Sequence, residues 1–254
     1  MVWVRKVFLS LCLGLCFLVS RAQPGNDAAY RAFFPAAQCD STAFALAWEG
    51  YHILKEEGLL RNPRYLTVID FTKPSNQPRL FLLDVPAQTL ILATVTAHGI
   101  GSDPDSTTIP YRFSNRNNSR MSSLGFYLTG DTYYNLRPHD SLGLCLFGLD
   151  QGFNDSAALR EIVIHYGATE RSGYVYVTDS GAARSFGCPA LPLGHNAMVI
   201  ELIKGGSCLF VYSDKEPGYA LKSTVLQRNL PRRIRQAGPP PNNCSCDIKR
   251  NGKS

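Results

Sequence analysis

Apolar residues at helical spacing predict one amphipathic helix near the start of the chain, over about 41–57. Asp40 or Ser41 is suited to cap its first turn, and Gly58 is suited to end it. The apolar positions recur every three or four residues, at Phe44, Ala47, Trp48, Tyr51 and Leu54. A weaker pattern over 28–34 indicates a partly helical lead-in.

Beyond Arg64 the pattern changes to short apolar runs bounded by Gly, Pro, Ser and Asn, which predicts strands. The runs are rich in Leu, Ile, Val and Thr, as expected of partly or fully buried strands. The predicted strands are 65–71, 80–84, 89–97, 123–129, 141–149, 161–165, 174–178 and 208–212. A short helix is predicted over 197–203, and the polar stretch 99–118 is predicted to be a loop. The sequence therefore predicts a mainly β domain with one N-terminal helix packed on it.

The first 22 residues have the pattern of a secretory signal peptide. Arg5 and Lys6 precede an apolar run over 7–19, and Ala22 provides the small residue that precedes a cleavage site. An apolar run of this length is short for a membrane span, although an uncleaved anchor is the alternative interpretation. We therefore expect export to the periplasm or cell envelope, with no stable membrane insertion once residues 1–22 are removed.

The basic charge of the chain is concentrated at its two ends. The whole chain carries a net charge of +6, and residues 1–22 hold three basic and no acidic side chains. Residues 227–254 hold seven Lys or Arg and one Asp, which leaves the body, 23–226, with a net charge of −3. A nucleic-acid-binding domain is expected to carry a basic face on its body, so no nucleic-acid partner is predicted.

The body and the tail also differ in composition. Apolar residues make up 44% of the chain and charged residues 18%, which suits a folded domain over 23–226. Residues 227–254, rich in proline and arginine, predict a flexible basic tail because they offer little apolar surface to bury. Attraction of this tail to anionic wall polymers or lipid head groups is one interpretation, and a solvated tail without a role is the other.

Six cysteines remain once the predicted signal peptide is removed: Cys39, Cys145, Cys188, Cys208, Cys244 and Cys246. An exported protein can form disulfides, and at most two form if Cys188 stays free, but the sequence does not assign their pairing. The Cys244-Ser245-Cys246 run lacks zinc-site spacing and a neighbouring histidine cluster. No metal and no cofactor are therefore predicted, and the sequence does not indicate an oligomeric state.

The run from Arg184 to Pro189 is the strongest candidate for chemistry, because it places Cys188 in a turn of small residues. His165 stands 23 positions upstream, at the end of an apolar run. A free cysteine is mostly protonated at neutral pH, and an imidazole base activates it as a nucleophile. Gly187 allows close backbone approach, and amide groups at such a turn are suited to receive an oxyanion.

Several further motifs accompany this run along the chain. They are Val68-Ile69-Asp70-Phe71-Thr72-Lys73-Pro74-Ser75, Ala97-His98-Gly99, Met121-Ser122-Ser123-Leu124-Gly125-Phe126-Tyr127, Ile162-Val163-Ile164-His165, Arg184-Ser185-Phe186-Gly187-Cys188-Pro189-Ala190-Leu191 and Ile203-Lys204-Gly205-Gly206-Ser207-Cys208-Leu209-Phe210. In order and number, these motifs resemble the murein L,D-transpeptidase catalytic domain family over residues 42–212. The resemblance implies a mainly β, sandwich-like or partly barrelled catalytic domain.

The same resemblance implies roles for individual residues. Cys188 is the implied nucleophile and His165 the implied base, oriented by a third group that we expect to be a backbone carbonyl. The residues implied to form the oxyanion or substrate site are Ser185, Gly187, Arg184, Gly167 and His98. Two interpretations stay open for His98, which either lines the cleft or satisfies a buried hydrogen bond. Arg184 either holds a substrate carboxylate, lowers the pKa of the thiol, or points to solvent.

The function implied by the resemblance is peptidoglycan L,D-transpeptidation, in which a cysteine thioester forms 3-3 crosslinks between stem peptides. An L,D-carboxypeptidase would use the same nucleophile with water as acceptor. A catalytically inactive wall-binding protein is the third alternative, because Tyr166 stands between His165 and Gly167 where many members have glycine directly after the histidine. Pro189 and Ala190 also follow the cysteine where many members have an arginine.

Overall fold

A computed structural model of the chain describes residues 24–36, 38–135, 141–167, 177–178, 181–182 and 184–229. The predictions for the signal peptide, for Cys244 and Cys246, and for the tail beyond residue 229 lie outside these residues. Across the described ranges, no helix is both long enough and apolar enough to cross a bilayer.

Four α-helices and twelve strands make up the described part of the chain. The helices are α1 (Pro24–Phe33), α2 (Ser41–Glu56), α3 (Leu193–Ile203) and α4 (Tyr219–Lys222). The strands are β1 (Tyr65–Asp70), β2 (Leu80–Asp84), β3 (Thr89–Thr94), β4 (His98–Gly99), β5 (Gly125–Asn135), β6 (Ser141–Gly148), β7 (Val163–Tyr166), β8 (Val177–Thr178), β9 (Gly181–Ala182), β10 (Arg184–Ser185), β11 (Ala190–Leu191) and β12 (Cys208–Tyr212). A single 3-10 turn, Ile100–Ser102, follows β4.

Helix α2 forms where the apolar spacing predicts it. The Asp40 carboxylate caps its first turn by accepting hydrogen bonds from the amides of Thr42 and Ala43, both at 2.9 Å. Its apolar face packs on the sheet, and Gly50 makes the closest approach, because a Cβ there would lie 2.1 Å from the Phe126 ring. The predicted N-terminal helix packed on a β core is confirmed.

Eight strands form one sheet in the order β11-β7-β6-β5-β12-β1-β2-β3. The β1–β12 and β7–β11 pairs are parallel, and the other pairs of neighbours in this sheet are antiparallel. Alternate residues of each strand enter two cores, as the period of a strand requires. In β1, for example, Leu66 and Val68 pack with α1 and α2 on one face, whereas Ile69 packs with α3 on the other.

The two ends of this sheet approach each other. Just after β3, the Ala97 amide and the Thr96 hydroxyl both donate to the carbonyl oxygen of Ala190 in β11, at 2.9 Å and 3.0 Å. The sheet is therefore nearly closed, which confirms the predicted mainly β, partly barrelled architecture. Closure also brings the segment around His98 beside β10, and the two pair in parallel with His98 opposite Arg184.

Two predicted boundaries are wrong by four residues or more, each for a local reason, and most of the others lie within three residues of the observed bounds. Strand β5 continues to Asn135 instead of ending near residue 129, because a bulge between Thr129 and Thr132 absorbs the Gly130-Asp131 pair, which has the pattern of a turn. Helix α3 begins at Leu193 instead of residue 197, directly after Pro192. Proline is tolerated at a helix start because its missing N–H has no intrahelical partner there.

Candidate active site

Cys188 and His165 lie on neighbouring elements of the sheet. Strand β7 carries His165, and β11 begins two residues after Cys188, with Ala190 paired directly opposite His165. Continuing this register places Cys188 level with Val163, and the Val163 amide donates to the Cys188 sulfur at 3.5 Å. By this register, the residues that carry the imidazole and the thiol are diagonal neighbours across the β7–β11 pair.

The Cys188 thiol is free, and the residue is half-buried. The thiol faces two backbone groups, because its Sγ lies 3.6 Å from the carbonyl oxygen of Glu161 as well as close to the Val163 amide. Burial raises the pKa of the Cys188 thiol to about 11, while the Val163 N–H and the charge of Arg160 lower it and Glu161 raises it. The resting thiol is therefore protonated at neutral pH and requires a base.

The imidazole of His165 is oriented by a backbone carbonyl, as the sequence reasoning expected. Its Nδ1 lies 2.8 Å from the carbonyl oxygen of Tyr166. A carbonyl oxygen only accepts hydrogen bonds, so this contact requires the proton on Nδ1 and leaves the Nε2 lone pair free in the neutral ring. Burial lowers the pKa of His165, partly opposed by that hydrogen bond. The ring is thus held as a neutral base.

Ser185 and Gly187 form the turn that presents Cys188. The Ser185 hydroxyl, 2% exposed, donates to the Cys188 carbonyl at 2.6 Å and accepts from the Gly187 amide at 3.0 Å. Gly187 has φ +122°, and a Cβ there would lie 2.6 Å from the Met121 carbonyl oxygen. Since the Gly187 amide is already bonded, it is not available to an oxyanion. Within the described residues, the Cys188 amide enters no turn or loop hydrogen bond.

Two other predicted site residues have structural partners. The Gly167 amide donates to the Leu191 carbonyl at 2.8 Å and so extends the β7–β11 pairing past Tyr166. The Arg184 guanidinium donates to the Asp103 carbonyl at 2.8 Å and to the Ser106 hydroxyl at 2.6 Å. Arg184 therefore fixes the loop between β4 and β5 (100–124, the β4–β5 loop) beside the turn that carries Cys188, and its guanidinium is already occupied.

His98 lies inside the protein instead of on the cleft surface, since its side chain is only 1% exposed. Its Nδ1 accepts from the Arg79 guanidinium at 2.8 Å, which leaves the ring proton on Nε2, 3.5 Å from the Asp103 carboxylate. Burial and the charge of Arg79 lower the pKa of His98 to about 3, so the ring is neutral. Of the two interpretations left open for His98, the structure favours the buried hydrogen bond.

Arg79, for which the sequence predicted no role, is a fully buried cation that contacts the β4–β5 loop at Thr108. Its guanidinium donates twice to the Thr96 carbonyl, at 2.9 Å and 2.6 Å, and once to the Lys73 carbonyl at 3.2 Å. It also lies 4.9 Å above the Phe71 ring. Arg79, directly before β2, therefore ties Lys73 to the segment that carries Thr96 and His98.

Arg160, likewise not predicted, lies near the turn that carries Cys188. Its guanidinium donates to the Ser114 carbonyl at 2.7 Å, to the Met121 carbonyl at 2.6 Å and to the Ser119 hydroxyl at 3.2 Å. It also contacts the Ser123 hydroxyl. Met121 is the residue whose carbonyl meets Gly187, so Arg160 supports the turn through the β4–β5 loop and places a positive charge near the thiol.

The assembled groups match the requirements of covalent acyl transfer. A free thiol, a neutral imidazole with an unprotonated Nε2, and the amide of Cys188 are the groups that attack, proton transfer and oxyanion stabilisation require. Within the ranges that the structure describes, no group of three or more His, Cys, Asp or Glu side chains could hold a metal ion.

A family model described as the L,D-transpeptidase catalytic domain matches residues 35–212, which is more than half of the 254-residue chain. The matched range includes α2, the eight-stranded sheet and both residues of the candidate thiol–imidazole pair. A search of curated proteins gives no match.

Proposed function

Because this chain belongs to the L,D-transpeptidase catalytic domain family, we propose that Cys188 is its nucleophile and that it forms 3-3 crosslinks between peptidoglycan stem peptides. Family membership alone supports a peptidoglycan-modifying enzyme. The observation that carries the finer proposal is the neutral His165 ring, whose Nδ1 is bonded to the Tyr166 carbonyl and whose Nε2 is therefore unprotonated, on a residue diagonal to a free Cys188.

The first half-reaction acylates the enzyme. The Cys188 side chain turns from the Val163 amide towards the imidazole, and Nε2 of His165 takes the Sγ proton. The thiolate attacks the carbonyl carbon of the third residue of a donor tetrapeptide, and the Cys188 amide receives the resulting oxyanion. When the tetrahedral intermediate collapses, the C–N bond to terminal D-alanine breaks, and the imidazolium protonates the departing amine.

The second half-reaction transfers the acyl group. The side-chain amine of an acceptor stem peptide attacks the thioester carbonyl, and neutral His165 removes a proton from that amine. The C–S bond breaks, and the thiolate recovers a proton from the imidazolium. The products are a 3-3 crosslink and the resting thiol, so the reaction balances without a cofactor.

Tyr166 is compatible with this mechanism although many family members have glycine at that position. The group that orients His165 is the backbone carbonyl of Tyr166, which any residue type supplies. The amide of Gly167 continues the strand pairing one residue later. The backbone around the histidine is therefore well supported, and this favours an active site over a decayed wall-binding domain.

We also propose that the protein is exported to the periplasm or cell envelope. The pattern of residues 1–22 supports this, as does the disulfide at Cys145, because disulfides persist in oxidising compartments. Cys39 and Cys208 are free and buried, so they do not contribute to disulfides in the described part of the chain. Intact mass of the protein recovered from an envelope fraction tests cleavage after Ala22.

Product analysis tests the proposed transfer. The full-length protein is incubated with a stem tetrapeptide, with and without an acceptor amine, and the products are identified by mass spectrometry. Release of D-alanine with a crosslinked product supports transpeptidation, whereas a tripeptide alone identifies water as the acceptor and a carboxypeptidase. His165→Gln should lower the rate of D-alanine release at least a hundredfold, the lower bound for removing a general base. A rate near that of the native protein would contradict the role of His165.

A further inference from the structure

Phe186 stands two residues before the proposed nucleophile, with its ring directed outward. The side chain is 40% exposed, although its neighbours Ser185 and Gly187 are buried. The two hydrogen bonds of the Ser185 hydroxyl fix the turn on both sides of Phe186, so the direction of its side chain is set by the backbone. A partly exposed aromatic ring is thus fixed on the turn that carries Cys188.

The Arg120 guanidinium lies over this ring, 4.8 Å from the ring centroid. Stacking on an aromatic face leaves the in-plane N–H donors of a guanidinium directed outward. Within the described residues, Arg120 has no carboxylate or carbonyl partner for these donors. Arg79, Arg160 and Arg184, by contrast, are all bonded to backbone carbonyls.

The backbone of Arg120 is held in an uncommon conformation. Its φ is +56°, a left-handed value that non-glycine residues adopt at a cost in free energy. The Arg120 carbonyl accepts from the Gly101 amide at 2.9 Å, and a Cβ at Gly99 would lie 2.4 Å from the same oxygen. The close approach of two glycines therefore fixes the base from which the Arg120 side chain reaches Phe186.

A guanidinium fixed at its base, stacked on one face and open at its edge is preorganised for a planar anion. Carboxylates are the anions that match its paired donors, and prior ordering of the side chain lowers the entropic cost of binding them. In a donor peptide, the terminal carboxylate belongs to the residue that directly follows the scissile carbonyl, and Arg120 contacts the ring of the residue two positions before Cys188.

We propose that Arg120, stacked on Phe186, binds the terminal carboxylate of the residue that leaves the donor peptide. This inference rests on the proposed function, in which the leaving residue of a tetrapeptide is a terminal D-alanine. Arg120 thereby selects donors whose scissile bond precedes the last residue. A donor extended by one residue, or ending in a carboxamide, lacks the charge at this position and binds more weakly.

Binding measurements without chemistry test the subsite separately from catalysis. In full-length Cys188→Ala protein, calorimetry compares a stem tetrapeptide that ends in a free carboxylate with the same peptide ending in a carboxamide. The acid should bind about tenfold more tightly, the factor that one charge-assisted hydrogen bond supplies. When Arg120→Met is introduced into the Cys188→Ala protein, it should remove that preference and leave the affinity for the carboxamide unchanged. Arg116→Met, an exposed arginine on the same loop, is the matched control and should keep the preference.

Each outcome decides the proposal. Equal affinities for acid and carboxamide, an acid preference that survives Arg120→Met, or no binding of either peptide would overturn it. An acid preference lost in Arg120→Met supports it, with an unchanged melting temperature as the check on folding. If that preference is found but wild-type protein forms no acyl-enzyme, the carboxylate subsite stands and the proposed acyl transfer fails.

Discussion

The hydroxyl of Ser185 donates a hydrogen bond to the carbonyl oxygen of Cys188 at 2.6 Å, across a turn whose middle amide, that of Gly187, donates back to the same hydroxyl. One buried side chain thus fixes the backbone on both sides of the turn. This geometry directs the Cys188 sulfur towards β7, where the Val163 amide contacts it. Ser185 is therefore a positioning residue for the proposed nucleophile.

Ser185→Ala removes both hydrogen bonds and leaves a buried carbonyl and a buried amide unpaired. We expect a loss of about 1–3 kcal/mol in the free energy of unfolding. We also expect at least a tenfold loss in the rate of acylation by a stem tetrapeptide, since misplacing the sulfur costs rate steeply. Chemical denaturation and acyl-enzyme mass spectrometry measure the two effects. Ser185→Thr keeps the hydroxyl and should recover part of the rate, and an unchanged rate in Ser185→Ala would refute the positioning role.

Gly187→Ala tests the close approach between the turn and the β4–β5 loop. At φ +122° an alanine is strained, and its Cβ would lie 2.6 Å from the Met121 carbonyl oxygen. We expect a destabilisation of about 1–3 kcal/mol with loss of acylation. Gly194→Ala is the matched control, because Gly194 lies in α3 and a Cβ there meets nothing within 4 Å. It should stabilise the protein by about 0.5–1 kcal/mol. Equal responses at the two glycines would contradict this account.

Arg160→Met should raise the pKa of the Cys188 thiol, because the charge of Arg160 lowers it. The charged groups that act on this thiol are Arg160 and, in the opposite direction, Glu161. At pH values below the thiol pKa, alkylation by iodoacetamide follows the thiolate fraction, so each unit of increase slows alkylation about tenfold. The pH profile of alkylation in Arg160→Met should therefore move to higher pH. The measurement is the rate of Cys188 labelling across the alkaline range.

Arg160→Lys separates the effect of the positive charge on the thiol pKa from the hydrogen bonds that hold the β4–β5 loop. Lysine keeps the positive charge but does not reproduce the four contacts of the guanidinium with the β4–β5 loop. We expect a lower melting temperature, with an alkylation profile closer to that of the native protein than the profile of Arg160→Met. A profile that is the same in native and Arg160→Met protein, with only stability reduced, would assign Arg160 a purely structural role.

The sequence predicts much of the fold because local patterns coincide with burial. Helix α2 begins at the predicted cap, and the bounds of β2 and β12 match the predicted 80–84 and 208–212. The extension of β5 is not predictable in the same way. It depends on a bulge that is supported by pairing with β6, and nothing in the Gly130-Asp131 pair itself indicates a strand.

The candidate site is only partly predictable for a similar reason. Cys188 and His165 carry distinctive chemistry at the ends of apolar runs, so residue type alone draws attention to them. Arg79 bonds mainly to backbone carbonyls, and two of the four bonds of Arg160 go to carbonyls that lie 39 and 46 positions away along the chain. Every residue has a backbone carbonyl, so the residue types in the sequence do not show which carbonyls an arginine contacts. The roles of these two arginines therefore emerge only from the fold.

Intact-protein mass spectrometry after incubation with a stem tetrapeptide tests the central claim, that Cys188 carries the acyl group, most directly. The native protein should gain the mass of the peptide less its terminal D-alanine, and Cys188→Ala should gain none. Cys39→Ala and Cys208→Ala, which remove buried free thiols, should gain the same mass as the native protein. An acylated or active Cys188→Ala protein would contradict the account, as would native protein that gains no mass while it releases D-alanine.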